Sequence, residues 1–196
     1  MVSLSDGPAG ALAARIMALG NRDMEAEAVA ELAPAPTDTV LVVGFGPGVG
    51  IRLLLPHLPQ GFVGGVDPSR AMVREARRRN RAACESGRLR LEQTTAAAMP
   101  WEDATFDGAI AVNSLQLWEP MDTSAAEVAR VLRPGAPLVT ITHDWALRKH
   151  AASVEEWIET VSAALERAGF EERRSWTGTA GSGGTASLVA RRGTQR

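Results

Sequence analysis

One stretch, VLVVGFGPGVG at residues 40–50, constrains the fold more than any other. Its continuously apolar start suits a strand covered on both faces. It stops abruptly at Gly44-Phe45-Gly46-Pro47-Gly48-Val49-Gly50. A strand that runs into alternating glycines lets main chain pass close to something a Cβ would exclude. The rest of the chain is organised around that turn.

Two short helices precede it. Residues 9–19 repeat Leu12, Ile16 and Leu19 at helical spacing, and residues 24–32 repeat Val29 and Leu32, with Glu25 and Glu31 available to face water. After the glycines a short helix runs from Val49 to about Leu55. GFVGGVD is a second strand ending on Asp67, and SRAMVREARRRNRAA the helix after it. RLRLEQT, FDGAIAVNS and PLVTITH follow as strands three to five. TSAAEVARVL is a helix with Ser124 and Glu127 in capping-box register, and Ser153 with Glu156 opens another that Gly169 ends. FEERRSWTG and TASLVARR pair across TAGSGG as an antiparallel hairpin.

This alternation predicts an α/β fold: a Rossmann-like, doubly wound, mostly parallel seven-stranded sheet with one antiparallel strand in the C-terminal hairpin and helices on both faces. A chain of 196 residues suits one domain, with residues 1–36 as a helical lid and 37–196 as the ligand-binding core. Ligands of such sheets sit beyond the carboxyl ends of the strands, where strand order reverses. Gly44 to Gly48, Asp67, the segment after strand three, Asn113 and His143 are therefore expected around one crevice.

Composition narrows the partners. A net charge of −2 gives no reason to expect nucleic acid or an anionic membrane. The basic run Arg74, Arg77, Arg78, Arg79 and Arg81 shares its helix with Glu75, has no interleaved aromatic, and reads as a solvated face. The single cysteine, Cys84, excludes an intramolecular disulfide and a cysteine-based metal cluster within the chain. No apolar run approaches the roughly 18 residues of a membrane span, and the N-terminus lacks the pattern of a signal peptide. A cytoplasmic location is expected, with no metal site among three scattered histidines.

The glycine pattern discriminates among ligands. A nucleoside-triphosphate loop needs a Lys-Ser/Thr pair after its last glycine, and none is present. A dinucleotide turn needs Gly-x-Gly-x-x-Gly, and no frame completes it: the sixth position is Val49, Ile51 or Leu53. What remains is Gly-x-Gly-x-Gly with an acid 19 residues after Gly48. Three glycines admit a bulky ligand, and Asp67 can accept from two neighbouring ribose hydroxyls through its two oxygens. That combination suits a nucleoside with an amino-acid tail.

From about Val40 to Val139 the chain resembles the class I S-adenosylmethionine-dependent methyltransferases of the small-molecule type. VLVVGFGPG looks like the family's first motif and VDPSRAM like its Asp-x-Ser-x-x-Met. AAAMPWEDATFDGAIAVNSLQLW is similar to the stretch through strand four, and EVARVLRPGAPLV matches the Arg-x-Leu-x-Pro-Gly turn. The resemblance implies S-adenosylmethionine as methyl donor and S-adenosylhomocysteine as product. It implies that Gly44, Phe45, Gly46 and Gly48 cradle the cofactor. Asp67 and Pro68 would lie by ribose, Met72 by adenine, and Asn113 by the methionine part. The chain departs from the family in two places. The acid often found two residues before the first glycine is Val42, and the Asp that usually meets the adenine amino group is replaced by Thr95, with Ala96 next to it.

The implied reaction is in-line transfer of a methyl group to a small, fairly apolar acceptor, driven by alignment and exclusion of water. His143 is the candidate general base, because imidazole titrates near neutral pH. Asn21, Met17, Met24, Trp118 and Trp145 are candidate pocket residues. Two other readings stay open at this point. One is a protein that binds S-adenosylmethionine without turnover, which Thr95 and Val42 keep alive; the other is an NAD(P)-dependent oxidoreductase, which the incomplete dinucleotide turn disfavours.

Overall fold

The computed structural model describes residues 21–148, 150–180 and 183–194. The expected helix at 9–19, with Met17, lies outside them. The elements are α1 (Arg22–Leu32), β1 (Thr39–Val43), α2 (Val49–Leu54), β2 (Phe62–Val66), α3 (Arg70–Arg79), α4 (Arg81–Glu85), β3 (Leu89–Glu92), β4 (Gly108–Val112), α5 (Met121–Val131), β5 (Pro137–His143), α6 (Asp144–Leu147), α7 (Val154–Arg167), β6 (Phe170–Ala180) and β7 (Gly183–Arg192). Short 3-10 turns follow α2 and β4.

They form one seven-stranded sheet in the order β3-β2-β1-β4-β5-β7-β6. Neighbours from β3 through to β5 are parallel, and β7 runs antiparallel to both β5 and β6. The expected architecture is therefore the observed one. Alternation along β1 explains the two layers. Val40 and Val42 point to a core with Met24, Ala28, Ile51, Leu54, Val73 and Ala76, from α1, α2 and α3. Leu41 and Val43 point to the opposite core with Ala125, Val128, Trp157, Val161 and Leu165, from α5 and α7. Strand order reverses between β1 and β4, the point at which such sheets open a crevice.

Three local readings change. The helix after β2 is two helices, because Asn80 ends the first and donates from Nδ2 to the carbonyls of Ala76 and Gly48. α5 begins at Met121, so Ser124 lies inside it, buried and without a hydrogen-bond partner. Glu127 does not cap; it accepts from the Met99 N–H and from Arg130, holding the segment after β3. The pattern Ser-x-x-Glu marks a helix start only where the serine stands at the N-cap. At α7 the same pattern does cap: Ser153 accepts from the Glu156 N–H at 3.1 Å, and Glu156 accepts from the Ala152 N–H at 2.8 Å.

The helix expected as half of a lid is a layer of the core. Met24, Ala28, Val29 and Leu32 of α1 are buried. Leu32 covers the start of β4, where a Cβ on Gly108 would come within 2.8 Å of its Cδ1. Asn113, just beyond the other end of β4, donates to the Met24 sulfur at 3.7 Å. Thus α1 lies along the sheet, and only its first turn reaches the crevice. The expected water-facing position of Glu25 is also overturned. Glu25 sits on the buried stripe with Val29 and Leu32, 8% exposed.

Candidate active site

The glycine turn is held from three sides. The Gly44 N–H donates to the Val66 carbonyl, continuing the β1–β2 ladder one residue past the strand. Gly44 has φ +71°, and a Cβ there would stand 2.3 Å from the Cβ of Ser114. Ser114, after β4, donates its hydroxyl to the Val43 carbonyl at 2.6 Å, which locks the two strand ends together. Gly48, φ +78°, is pressed on by Ala76 and Asn80 of the next helix pair. Protein packing accounts for both of these glycines.

Gly46 is different. Its φ is +51°, and among the described residues a Cβ built on it meets nothing within 4 Å, so on that side they leave open space. Its N–H donates to Asp67 Oδ2 at 2.9 Å, across 21 residues of sequence. The Phe45 side chain, by contrast, is buried over Gly65 and Leu91, so Phe45 offers the crevice only its peptide.

Asp67 follows β2 and is 7% exposed. Its Oδ1 accepts from the Ser69 N–H at 2.8 Å. Ser69, not Asp67, caps α3, accepting from the Met72 N–H. Helix capping therefore does not explain the acid. Burial pushes its carboxyl above the ordinary aspartate range, against the pull of the Ser69 and Gly46 N–H bonds. A carboxylate offers about four acceptor sites, so two remain. Pro68 is exposed and Met72 half-buried beside it.

Across the switch point stands Asn113, a non-glycine residue with φ +49°. Its N–H donates to the Ile141 carbonyl, its Oδ1 accepts from the His143 N–H at 2.9 Å, and its carbonyl accepts from Gln116. Asn113 thus ties α1, β4 and β5 at the crevice. The His143 ring is buried, its Nδ1 without a partner among the described residues, and Trp145 stacks on it with ring centres 5.8 Å apart. Trp145 itself is 60% exposed. Asn21 is half-buried before α1, its carbonyl accepting from the Glu25 N–H.

Other expected residues stand apart from this group. Trp118 is packed in the core shared with α5 and α7, and Ala96 belongs to the same core. Thr95 is exposed on the loop after β3. Met24 is fully buried, so only its sulfur, bound by Asn113, marks the crevice side. Sequence reasoning missed Ser114, Asn80 and Glu25. An Asn inside a helical run and a Ser after a strand end are weak signals; a buried acid has none.

Glu25 carries the largest electrostatic perturbation in this neighbourhood. Burial pushes its carboxyl from 4.5 up to about 8. Below pH 4.5 the acid is protonated in folded and unfolded chains alike, and the burial costs nothing. Above it the unfolded chain ionises and the folded one does not, so stability falls as pH rises towards 8. Glu25→Gln is expected to match wild type near pH 4.5 and to exceed it progressively above, by about 1.4 kcal/mol per pH unit. Urea unfolding of both proteins at several pH values measures this; parallel stabilities throughout would mean a solvated carboxyl.

A turn of glycines after β1 and an acid after β2 that accepts from it thus stand beside the switch point of the sheet. The chain belongs to the class I S-adenosylmethionine-dependent methyltransferases, and the family model for a methyltransferase domain matches residues 40–135. It is 26% identical over 161 residues to the uncharacterised methyltransferase YdaC of Bacillus subtilis (strain 168), covering 82% of this chain and 87% of that one. It is 31% identical over 123 residues to the O-methyltransferase resE of Aspergillus sclerotiorum, covering 62% of this chain and 46% of the relative, just under half its length. The fold matches the crystal structure of a SAM-dependent methyltransferase from Aquifex aeolicus with a TM-score of 0.69 at 21% identity, over 90% of this chain and 92% of that one. These relatives favour neither the oxidoreductase nor the non-catalytic alternative. Among the described residues, no helix is long and apolar enough to cross a membrane.

Proposed function

We propose that this single domain transfers the methyl group of S-adenosylmethionine to the hydroxyl of a small acceptor in the crevice between β1 and β4. The observation that carries the reading is Gly46, whose missing side chain leaves open space while its N–H fixes a buried acid. The residues fit the cofactor: a cradle that a Cβ would fill, with two unused acceptor sites on Asp67 beside it. When bound, the cofactor supplies a methyl group already activated on a sulfonium, so the protein's work is alignment and exclusion of water.

Each part of the chain then has a task. Asp67 receives the ribose hydroxyls, with Pro68 and Met72 along the same edge. The Thr95 hydroxyl and the Ala96 peptide serve the polar edge of adenine. Asn113 keeps one amide N–H for the amino-acid tail, because its other polar groups are committed to protein partners. Asn21, Trp145 and the ring of His143 bound the acceptor side, with Met24 beneath, and Trp118 supports from the core.

Similarity to an O-methyltransferase and the unpartnered Nδ1 of His143 support a hydroxyl acceptor whose proton passes to the imidazole. Incubation with methyl-labelled cofactor and panels of small phenols, amines and thiols tests this. Label is expected on a phenol; bound cofactor that labels nothing would identify a binding protein without turnover. With such a phenol at neutral pH, His143→Gln is expected to lower kcat about 100-fold and leave S-adenosylhomocysteine affinity unchanged. The deficit should shrink as pH approaches the acceptor's own ionisation. Equal rates for both proteins would remove the base.

A further inference from the structure

Glu25 is a carboxyl near the crevice to which the fold gives no task. Its Oε2 is buried and has no hydrogen-bond partner among the described residues. It lies against α2 at the second residue after the glycine turn, and a Cβ on Gly50 would stand 1.9 Å from it. The space that holds this carboxyl exists because position 50 is glycine. Apolar packing does not call for an acid there, since a methionine or leucine would fill the same stripe of α1 at no desolvation cost. A buried carboxyl retained without a partner wants a cation, and the described residues offer it none. Arg22 and Asp23 of the same turn are exposed, as is Arg52 of α2. The His143 Nδ1, at the end of β5, is likewise without a hydrogen-bond partner among the described residues, so it does not bond Glu25.

The location gives the cation its identity. One residue before Glu25, the Met24 sulfur meets Asn113, so this turn of α1 borders the switch point. Val42, where the family resemblance implies an acid, is buried on the face of β1 that α1 covers. An acid is thus missing from the strand and present on the helix packed over it. We propose that Glu25, delivered by α1, replaces the acid absent at position 42 and pairs with the ammonium of the cofactor's methionine tail. The assignment rests on S-adenosylmethionine being the ligand of the glycine turn. It makes Glu25 a binding residue that selects nucleosides with an amino-acid tail, and it gives Gly50 the role of leaving room for it.

Calorimetry on the full chain separates this from a structural role. S-adenosylhomocysteine carries the ammonium; methylthioadenosine has the same nucleoside and no tail. Glu25→Gln is expected to weaken S-adenosylhomocysteine roughly 10- to 100-fold, as loss of a charge-assisted bond does, and to leave methylthioadenosine within about twofold. Wild type should also release a proton on binding S-adenosylhomocysteine at neutral pH, seen as different heats in phosphate and Tris, and the variant should not. Gly50→Ala, which displaces the carboxyl, should reproduce the selective loss. Equal binding of S-adenosylhomocysteine by wild type and Glu25→Gln overturns the assignment and leaves the cofactor reading intact. Equal weakening of both nucleosides overturns it too, as a structural effect. A wild-type protein that binds neither nucleoside overturns the cofactor reading and this assignment with it.

Discussion

Asp67→Ala is expected to remain folded and to lose S-adenosylhomocysteine binding by at least about 100-fold. In the proposed complex the carboxylate accepts two ribose hydroxyls in addition to the N–H groups of Gly46 and Ser69 that it already holds. Hydrogen bonds to a charged acceptor contribute about 1.5–3 kcal/mol each, so two of them correspond to a factor of 100 or more. The cost in stability is smaller, because Gly46 is half-exposed and water can take the freed N–H. Relief of the desolvation that raises the acid offsets part of that cost. Calorimetric titration with circular dichroism on the same samples checks both halves. Binding within about threefold of wild type would show that this acid is not the ribose ligand.

The second large effect distinguishes two glycines that look alike in sequence. Gly44→Ala should destabilise the protein by about 3–5 kcal/mol. The left-handed backbone costs roughly 1–2 kcal/mol for any L side chain. The forced contact with Ser114 adds the 1–3 kcal/mol typical of overpacking, and the Ser114 bond to Val43 is strained besides. For a domain of this size that corresponds to a fall in Tm of about 10 °C. Gly46→Ala has the backbone cost and no clash. It should melt only a few degrees lower, yet bind cofactor poorly, because its methyl group enters the space proposed for the ligand. Ser114→Gly should rescue much of the Gly44→Ala loss, since the two positions share the contact. A Gly46→Ala protein that binds normally would mean that the open side of Gly46 is solvent and nothing more.

These variants show which features were readable in advance. The strands, the glycine turn and Asp67 are written in short local patterns: an apolar run, a break in periodicity, an acid at a strand end. The same locality placed β1 to β5 and the hairpin correctly. What escaped is set by contacts across long stretches of chain. The Ser114 bond to Val43 joins residues 71 apart, and the Asn80 bond to Gly48 joins residues 32 apart. The capping-box reading of Ser124 and Glu127 failed because tertiary partners, Met99 and Arg130, took the glutamate. Glu25 was misread for a more general reason. Binary patterning assigns acids to water, and only the helix laid along the sheet shows that this one faces inward. The helix itself looked like a flap because its amphipathic stripe says that it packs, not what it packs against.

β7 has a consequence for how the molecule comes to exist. It lies between β5 and β6, so the last strand of the sheet in sequence is an interior one. During synthesis β5 therefore emerges with a bare edge, and β6 arrives before the neighbour that joins it to the rest. Until residues 183–192 leave the ribosome, the nascent chain carries two unsatisfied strand edges, which are templates for pairing with other chains. Deletion of residues 183–192 takes away the strand through which β6 joins the sheet and leaves β5 at its edge. Chains without β7 should form inclusion bodies more readily than chains that keep it.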